Sequence, residues 1–197
     1  MSDRPDGQPQ KSSVLSGVLR LARGDASGIA MFGHTPGSFL ASLVPLAMIP
    51  LVSALAAFAR GEVYRALTDL AAATCLLLVP AVVSHVLARF WNREAFWLRF
   101  VIACNWCHFG LTVVGFAVLV GIGIAIGAAG AGPSVQASIA VAVLCLGILG
   151  YVLWLHWFVA RRGLGISSGR AALVVLATYG ASFAILMLWS PPLMVRG

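Results

Sequence analysis

The run with the most distinctive chemistry in this chain is Cys104-Asn105-Trp106-Cys107-His108, which has the Cys-x-x-Cys-His form of covalent haem attachment. That chemistry requires an exposed chain outside the cytoplasmic membrane. The run begins five residues beyond Arg99, inside an apolar block. A helix would therefore place it about 8–14 Å into the membrane from the cytoplasmic side. The position of the motif argues against covalent haem.

A non-covalent site at the same depth is a separate hypothesis. Three histidines and two cysteines at overlapping depth could hold a b-type haem or a soft metal. However, no segment carries two histidines four residues apart or a Glu-x-x-His pattern. We therefore expect no cofactor and no metal. We interpret five residues as an interhelical polar and packing set: Asn105, Trp106, His108, His85 and His156.

Acidic side chains are nearly absent from the apolar blocks. Asp69 is the only one, and it lies four residues after Arg65, with which it could pair. The glycine-rich stretch 163–169 has neither the spacing nor the preceding strand of a nucleotide-binding loop. The chain thus lacks an acid–base pair, an activated nucleophile and a phosphate loop, so we predict no catalytic residues and no enzymatic activity.

The elements that must position these residues are long apolar blocks. The chain is 60% hydrophobic and 10% charged, with a mean hydropathy of +0.97. Since about 20 helical residues cross a hydrocarbon core, the sequence predicts an all-α bundle with five spans. They are about 38–59, 66–88, 97–128, 136–160 and 170–190. The third block is too long for one straight crossing, and we expect a span of about 100–124 with a loose tail.

The placement of basic residues predicts the orientation. Lysine and arginine in alternate links sum to ten on the side of the N-terminus against three on the other side. The positive-inside rule then predicts a multi-pass protein of the bacterial inner membrane, with a cytoplasmic N-terminus and a periplasmic C-terminus. The net charge of +7 is spread over several links. It therefore indicates a lipid bilayer as partner and no nucleic acid.

The N-terminal region divides into two parts before the membrane domain at 36–197. Residues 1–12 are polar and predict a disordered cytoplasmic tail. Residues 13–35 predict an amphipathic arm, with Arg20 and Arg23 opposite an apolar stripe. The stripe consists of Val14, Leu15, Val18, Leu19 and Ala22. The arm either lies on the membrane interface or packs on the cytoplasmic ends of the spans.

Prolines mark the start and the interior of the first spans. Thr35 followed by Pro36 predicts a helix cap with proline at the first helical position. Pro45 and Pro50 fall inside span one, and Pro80 falls inside span two. Neighbouring helices in a membrane can accommodate such residues, so kinks are expected there.

Three short stretches give the chain a family resemblance. They are Gly37-Ser38-Phe39, the run from Phe100 to Trp106, and the run from Ala160 to Ser167. With five spans and a cytoplasmic arm, residues 14–190 resemble the bacterial relatives of the Yip family, the Ypt/Rab-interacting membrane proteins. The resemblance implies a non-enzymatic role, in which the Asn105-Trp106 pair serves interhelical packing. The acidic, tyrosine-containing stretch of the eukaryotic branch is missing, so Rab binding is not implied.

These observations predict a non-enzymatic integral membrane protein that organises membrane or binds a protein partner, which includes a second copy of the chain. A small transporter or channel subunit is the alternative, suggested by the proline kinks and the polar groups near the inner leaflet. A redox subunit that binds haem or metal through histidine and cysteine is the second alternative.

Overall fold

The computed structural model describes residues 11–128 and 135–189, and these residues form helices joined by short turns. The elements are α1 (Lys11–Ala22), a 3₁₀-helix (Ala26–Met31), α2 (Pro36–Ala59), α3 (Val63–Phe90), α4 (Glu94–Ala128), α5 (Val135–Gly163) and α6 (Ser168–Trp189). Helices α2 to α6 are each long and apolar enough to cross a membrane. The predicted all-α fold with five spans is confirmed. Helix α1 begins at Lys11, and the rest of the predicted disordered tail lies outside the described residues.

The five long helices are arranged as a closed ring. Helix α2 contacts α3, α3 contacts α6, α6 contacts α5, α5 contacts α4, and α4 returns to α2. Helix α3 also contacts α4. We call the end of the ring with the turns at 91–93 and 164–167 the arm end, and the end with the turn at 60–62 the far end. In the structure the arm begins at residue 11, with α1, and runs through the 3₁₀-helix to residue 34, close to the predicted bounds of 13–35. It packs against the arm-end half of α4 and α5.

Local chemistry explains where the helices start and stop. The hydroxyl of Thr35 accepts a hydrogen bond from the backbone N–H of Ser38 at 3.2 Å, and Pro36 opens α2, so the predicted cap is confirmed. Gly61 has φ of 79° in the turn between α2 and α3, a conformation that glycine adopts without steric cost. Asn92 has φ of 56° between α3 and α4, where a short polar side chain is tolerated.

Helix α4 is a single helix of 35 residues. Its glycine-rich end is helical through Ala128, so the expected loose tail is wrong. A Cβ atom on Gly115, Gly121, Gly123 or Gly127 would meet nothing within 4 Å. The far half of α4 thus packs loosely, and large apolar side chains such as Phe116 are exposed there. In a membrane protein this surface faces lipid or a partner.

The arm explains the surplus length of the third block. A Cβ on Gly110 of α4 would lie 3.4 Å from Cγ1 of Val18 in α1. Tyr151 of α5 donates its hydroxyl to the carbonyl of Ala22 at 2.6 Å. From Gly110 to Ala128 the helix rises about 27 Å, close to the roughly 30 Å of a hydrocarbon core. The first half of α4 is therefore covered by the arm, and the second half has the length of one crossing.

The structure shows how the arm packs on the bundle. Helix α1 packs on the bundle, along the sides of α4 and α5 rather than on the helix ends. Its buried centre is Leu21, with 0% of its surface exposed, whereas Leu15 and Leu19 of the predicted stripe are 64% and 47% exposed. Val14 and Val18 of the predicted stripe pack against the core, and Gly17 and Leu21 meet the 3₁₀-helix and the core.

Close contacts hold α1 against the 3₁₀-helix. A Cβ on Gly28 would lie 2.6 Å from the carbonyl oxygen of Gly17, so the two segments approach at a distance that only glycine permits. Asp25 caps the 3₁₀-helix by accepting the backbone N–H of Ser27 at 2.9 Å. Arg20 donates to the hydroxyl of Ser27 at 3.0 Å. Arg20, which was predicted to face the membrane surface, therefore helps to order the turn after α1. Arg23, predicted to do the same, is exposed.

The buried core lies at the arm end. The largest fully buried side chains include Leu21 of the arm, Ile102 of α4, Leu155 of α5 and Leu164 in the turn before α6. Because lipid is as apolar as leucine, tight packing rather than removal of apolar surface from water stabilises such contacts within a membrane. The arm end is thus the well-packed part of the ring.

Charged side chains cluster at the far end around Glu62. The carboxylate of Glu62 accepts from Arg60 at 3.0 Å and from Arg65 at 3.1 Å. Arg65 also pairs with Asp69 at 3.6 Å, which confirms the predicted pair. The hydrogen bond from Arg60 and the charges of both arginines hold the pKa of Glu62 below its ordinary value of 4.5.

This cluster predicts a pH dependence for the variant Glu62→Gln. Because the folded-state pKa of Glu62 is lowered, its stabilising contribution is present above the ordinary pKa and is lost as pH falls through the lowered value. We expect Glu62→Gln to melt at a lower temperature than the parent at neutral pH. The difference should close in acid, where both side chains are neutral. Thermal unfolding in detergent from neutral to acidic pH measures the difference in melting temperature between the two proteins. A difference that grows in acid would contradict the stabilising role of ionised Glu62.

Candidate functional site

Residues of all five long helices line a partly open cavity of about 530 Å³. This volume lies within the roughly 300–1,000 Å³ that small-molecule sites occupy. Most of its lining is aliphatic. Its polar lining residues are Ser84, Cys104, Asn105, His108, His156, Thr178, Tyr179 and Ser182. A mostly apolar pocket with a few convergent polar groups is the usual form of a ligand site.

Helical spacing directs these residues into the ring. On α4 the lining positions Val101, Asn105 and His108 are four and three residues apart, which places them on one helix face. On α6, Val175, Tyr179 and the positions at 182 and 186 repeat at the same spacing. Helices α4 and α6 therefore each contribute one continuous stripe to the cavity wall, whereas α5 contributes His156 alone.

His108, His156 and Tyr179 come together from three different helices. The imidazole rings of His108 and His156 have centroids 5.8 Å apart, and the ring of Tyr179 lies 5.8 Å from that of His156. Nδ1 of His156 is 2.8 Å from the carbonyl oxygen of Val152 and 3.3 Å from the hydroxyl of Tyr179. A carbonyl can only accept a hydrogen bond, so Nδ1 of His156 carries the proton.

This tautomer determines what the two side chains offer to the cavity. With Nδ1–H donating to Val152, the Nε2 atom of an uncharged His156 is an acceptor. The oxygen of Tyr179 faces the same N–H and accepts from it, which leaves the Tyr179 proton available as a donor. Tyr179 therefore offers a donor near the Nδ1 edge of the imidazole, and Nε2, on the other side of the ring, is an acceptor.

Asn105 connects α4 to α2. Its amide nitrogen donates to the hydroxyl of Ser42 at 2.9 Å, and Ser42 donates to the carbonyl of Phe39 at 2.7 Å. Asn105 is 8% exposed and Ser42 is fully buried. The bond thus joins two neighbouring helices of the ring at the cavity wall.

Trp106 and His85 lie away from the cavity. Trp106 packs against the buried core, and its ring meets that of Phe109 on the same helix edge-on, with centroids 6.2 Å apart. The ring of His85 lies 4.6 Å from that of Trp97, which donates to Ser84 at 3.1 Å. The five residues predicted as one polar set therefore form a cavity group of three and two separate packing sites.

The two deeper prolines also border the cavity. Pro50 of α2 and Pro80 of α3 both line it, as do Leu46 and Leu76, four residues before them. Because proline has no N–H, the carbonyls of Leu46 and Leu76 cannot receive the usual helical hydrogen bond. The prolines thus add backbone acceptors to the cavity-lining segments.

Sequence reasoning missed the contributions of Ser42, Thr178, Tyr179 and Ser182. Each is a single polar residue in an apolar helix, which on its own indicates little. A usable signal existed on α6, where Thr178, Tyr179 and Ser182 share one helix face. That pattern would have predicted that α6 faces the polar groups of α4 and α5.

The cysteines separate in the structure. Cys104 lines the cavity, whereas Cys107 is buried in the core, and both are free thiols. Across residues 11–128 and 135–189, no group of three or more His, Cys, Asp or Glu side chains is placed to hold a metal ion.

Comparisons of the chain with family models, with curated proteins and with solved structures give no match.

Proposed function

We propose that this chain is a non-enzymatic protein of the bacterial inner membrane, of the Yip-like type, which organises membrane or binds a protein partner. The docked arm is the observation that carries the proposal. Its contacts with α4, α5 and the 3₁₀-helix hold Leu15 and Leu19 outward, next to the exposed Arg23. A rigid element with apolar side chains beside a cation is suited to a membrane surface or to a partner that lies on it.

The proposed orientation has the arm end in the cytoplasm. Arginine counts support it through the positive-inside rule. The contacts of Arg161 over Trp157 at 5.5 Å and of Arg170 over Trp91 at 5.6 Å add to this support. Arginines that stack on tryptophans at one end of a bundle are typical of an interface with anionic headgroups.

The far halves of α4 and α5 support the partner-binding part of the proposal. Ile124, Val135 and Leu146 are exposed there, and a Cβ atom on Gly127 would meet nothing within 4 Å. Two helices of this kind can pack against another membrane helix or against a second copy of the chain.

Photo-crosslinking in native membranes tests the proposed function. A crosslinking side chain at Leu15 should capture a partner, and the same group at Tyr64 of the far end is the matched control. Deleting residues 1–35 should weaken recovery of that partner. A reporter fused after Gly197 should be inactive in the cytosol. Equal capture from both positions, or a partnerless protein that moves solute in liposomes, would contradict the proposal.

The cavity favours a second candidate function, a small transporter or channel subunit. Its walls include the proline-bearing segments of α2 and α3 and polar groups of three other helices. Broken hydrogen bonds at prolines permit helix bending, which alternating access requires. Solute flux into liposomes that contain the purified chain tests this candidate. If the chain is present in the liposomes as an oligomer and no flux is measured, the transporter function is excluded.

A further inference from the structure

The charge of the cavity limits what it can bind. Its lining contains no aspartate, glutamate, lysine or arginine. A cationic ligand would find no counter-charge there, and an anionic head would face the Nε2 lone pair of His156 without a basic side chain nearby. Because burying an unpaired charge is costly, an uncharged head group fits this lining.

The hydrogen-bonding groups of the cavity specify the head further. Tyr179 offers a donor, and Nε2 of His156 offers an acceptor. A hydroxyl group both accepts and donates, so it can pair with either side chain. A ketone or ether can only accept, so it can pair with Tyr179 alone.

The remaining wall fits an apolar chain. Beyond Tyr179 the α6 lining continues to Leu186, seven residues or about 10 Å further toward the far end. Opposite it lie Ile49 of α2 and Ala73 of α3, both apolar. The site thus has a hydrogen-bonding group in its middle and an aliphatic extension toward the far end.

We propose that this cavity binds a single-chain amphipathic lipid with an uncharged hydroxyl head, of the long-chain alcohol or monoacylglycerol class. The hydroxyl lies beside Tyr179 and His156 and pairs with one of them, and the chain runs between α2, α3 and α6 toward Leu186. This site stands apart from partner binding by the arm, since it lies inside the ring while Leu15 and Leu19 face outward.

Photolabelling of the full chain in phosphatidylcholine nanodiscs tests the proposal. The probe is hexadecanol with a diazirine on its chain, and mass spectrometry locates the labelled peptides. Saturable labelling should map to α2, α3 and α6 around the cavity. Unlabelled hexadecanol should compete, whereas palmitate and hexadecyltrimethylammonium, which carry the same chain on charged heads, should compete poorly. Labelling outside the lining, or equal competition by all three heads, would overturn the proposal.

Two pairs of variants separate the head contact from the chain contact. Tyr179→Phe removes the donor and should weaken hexadecanol competition by roughly fivefold. Tyr64→Phe, at a position that is 83% exposed, should leave it unchanged. Ala73→Trp fills the chain region and should abolish saturable labelling, while Ala71→Trp, on an exposed position of the same helix, should not. If both members of each pair behave alike in monodisperse protein, the proposed site is wrong.

Discussion

Replacing Leu21 with alanine is expected to release the arm from the helix ring. Leu21 of α1 is completely buried against the 3₁₀-helix and the core at the arm end. Truncating a buried leucine to alanine costs about 2–5 kcal/mol, because the cavity that remains is only partly refilled. The peptide bonds after Arg20 and Arg23 report on docking, since trypsin cleaves a segment only when it opens. Cleavage there should accelerate by about 30-fold or more.

The matched control is Leu19→Ala, two residues away on the same helix. Leu19 is 47% exposed, so its truncation removes little packing and should leave the cleavage rate close to that of the parent. Equal rates for Leu21→Ala and Leu19→Ala would mean that the arm is not anchored through Leu21. The docked geometry described above would then be incorrect.

A second large effect is expected when Asn105 is replaced by aspartate. The two side chains have nearly the same shape, but aspartate brings a carboxylate to a buried position with no cation among the cavity-lining residues. A charge left buried without a partner costs about 3–5 kcal/mol. The bond from the Asn105 amide to Ser42 is also lost, because a carboxylate cannot donate. Denaturation in mixed detergent micelles at neutral pH should show a lower free energy of unfolding for Asn105→Asp than for the parent.

The same substitution at Asn92 provides the comparison. Asn92 lies exposed in the turn between α3 and α4 with φ of 56°, and aspartate tolerates that conformation nearly as well as asparagine. Asn92→Asp should therefore unfold close to the parent. If Asn105→Asp did so as well, the environment of Asn105 would have to be polar or open to water rather than closed by α2 and α4.

Much of the fold could be predicted because bilayer thickness constrains helix length. Each apolar block long enough to cross became one helix, and the cap at Thr35 with Pro36 stands where its residues predict it. The third span was misjudged for a specific reason. Its first half is apolar because it packs against the arm, and a block covered by protein has the same composition as one covered by lipid.

The contacts of the arm could not be predicted from local spacing. The predicted stripe of five apolar residues includes Leu15 and Leu19, which are exposed, and omits Leu21, which is the best-buried residue of the segment. The rotation of α1 depends on the close approach of Gly17 and Gly28 and on the bond from Tyr151 to Ala22. These contacts join segments up to 129 residues apart, and local periodicity carries no information about them.

The candidate site was only partly accessible to sequence reasoning. Asn105 and His108 share a helix face by spacing alone, and His156 was assigned a similar depth. Their partners Ser42 and Tyr179 were not predicted, because depth along a helix says nothing about which direction a side chain points. His85 illustrates the same limit, since it has a suitable depth but its ring meets that of Trp97 edge-on.

The amino-acid sequence by itself determined that five helices cross a membrane and which polar residues each helix carries, since both follow from the length and composition of local segments. Only the tertiary structure decided the order of the helices in the ring, the rotation of the arm and the meeting of His108, His156 and Tyr179. In a bilayer the outward and inward faces of a helix are both apolar, so no periodic pattern marks the face that turns inward. Packing between segments distant in the chain makes that choice.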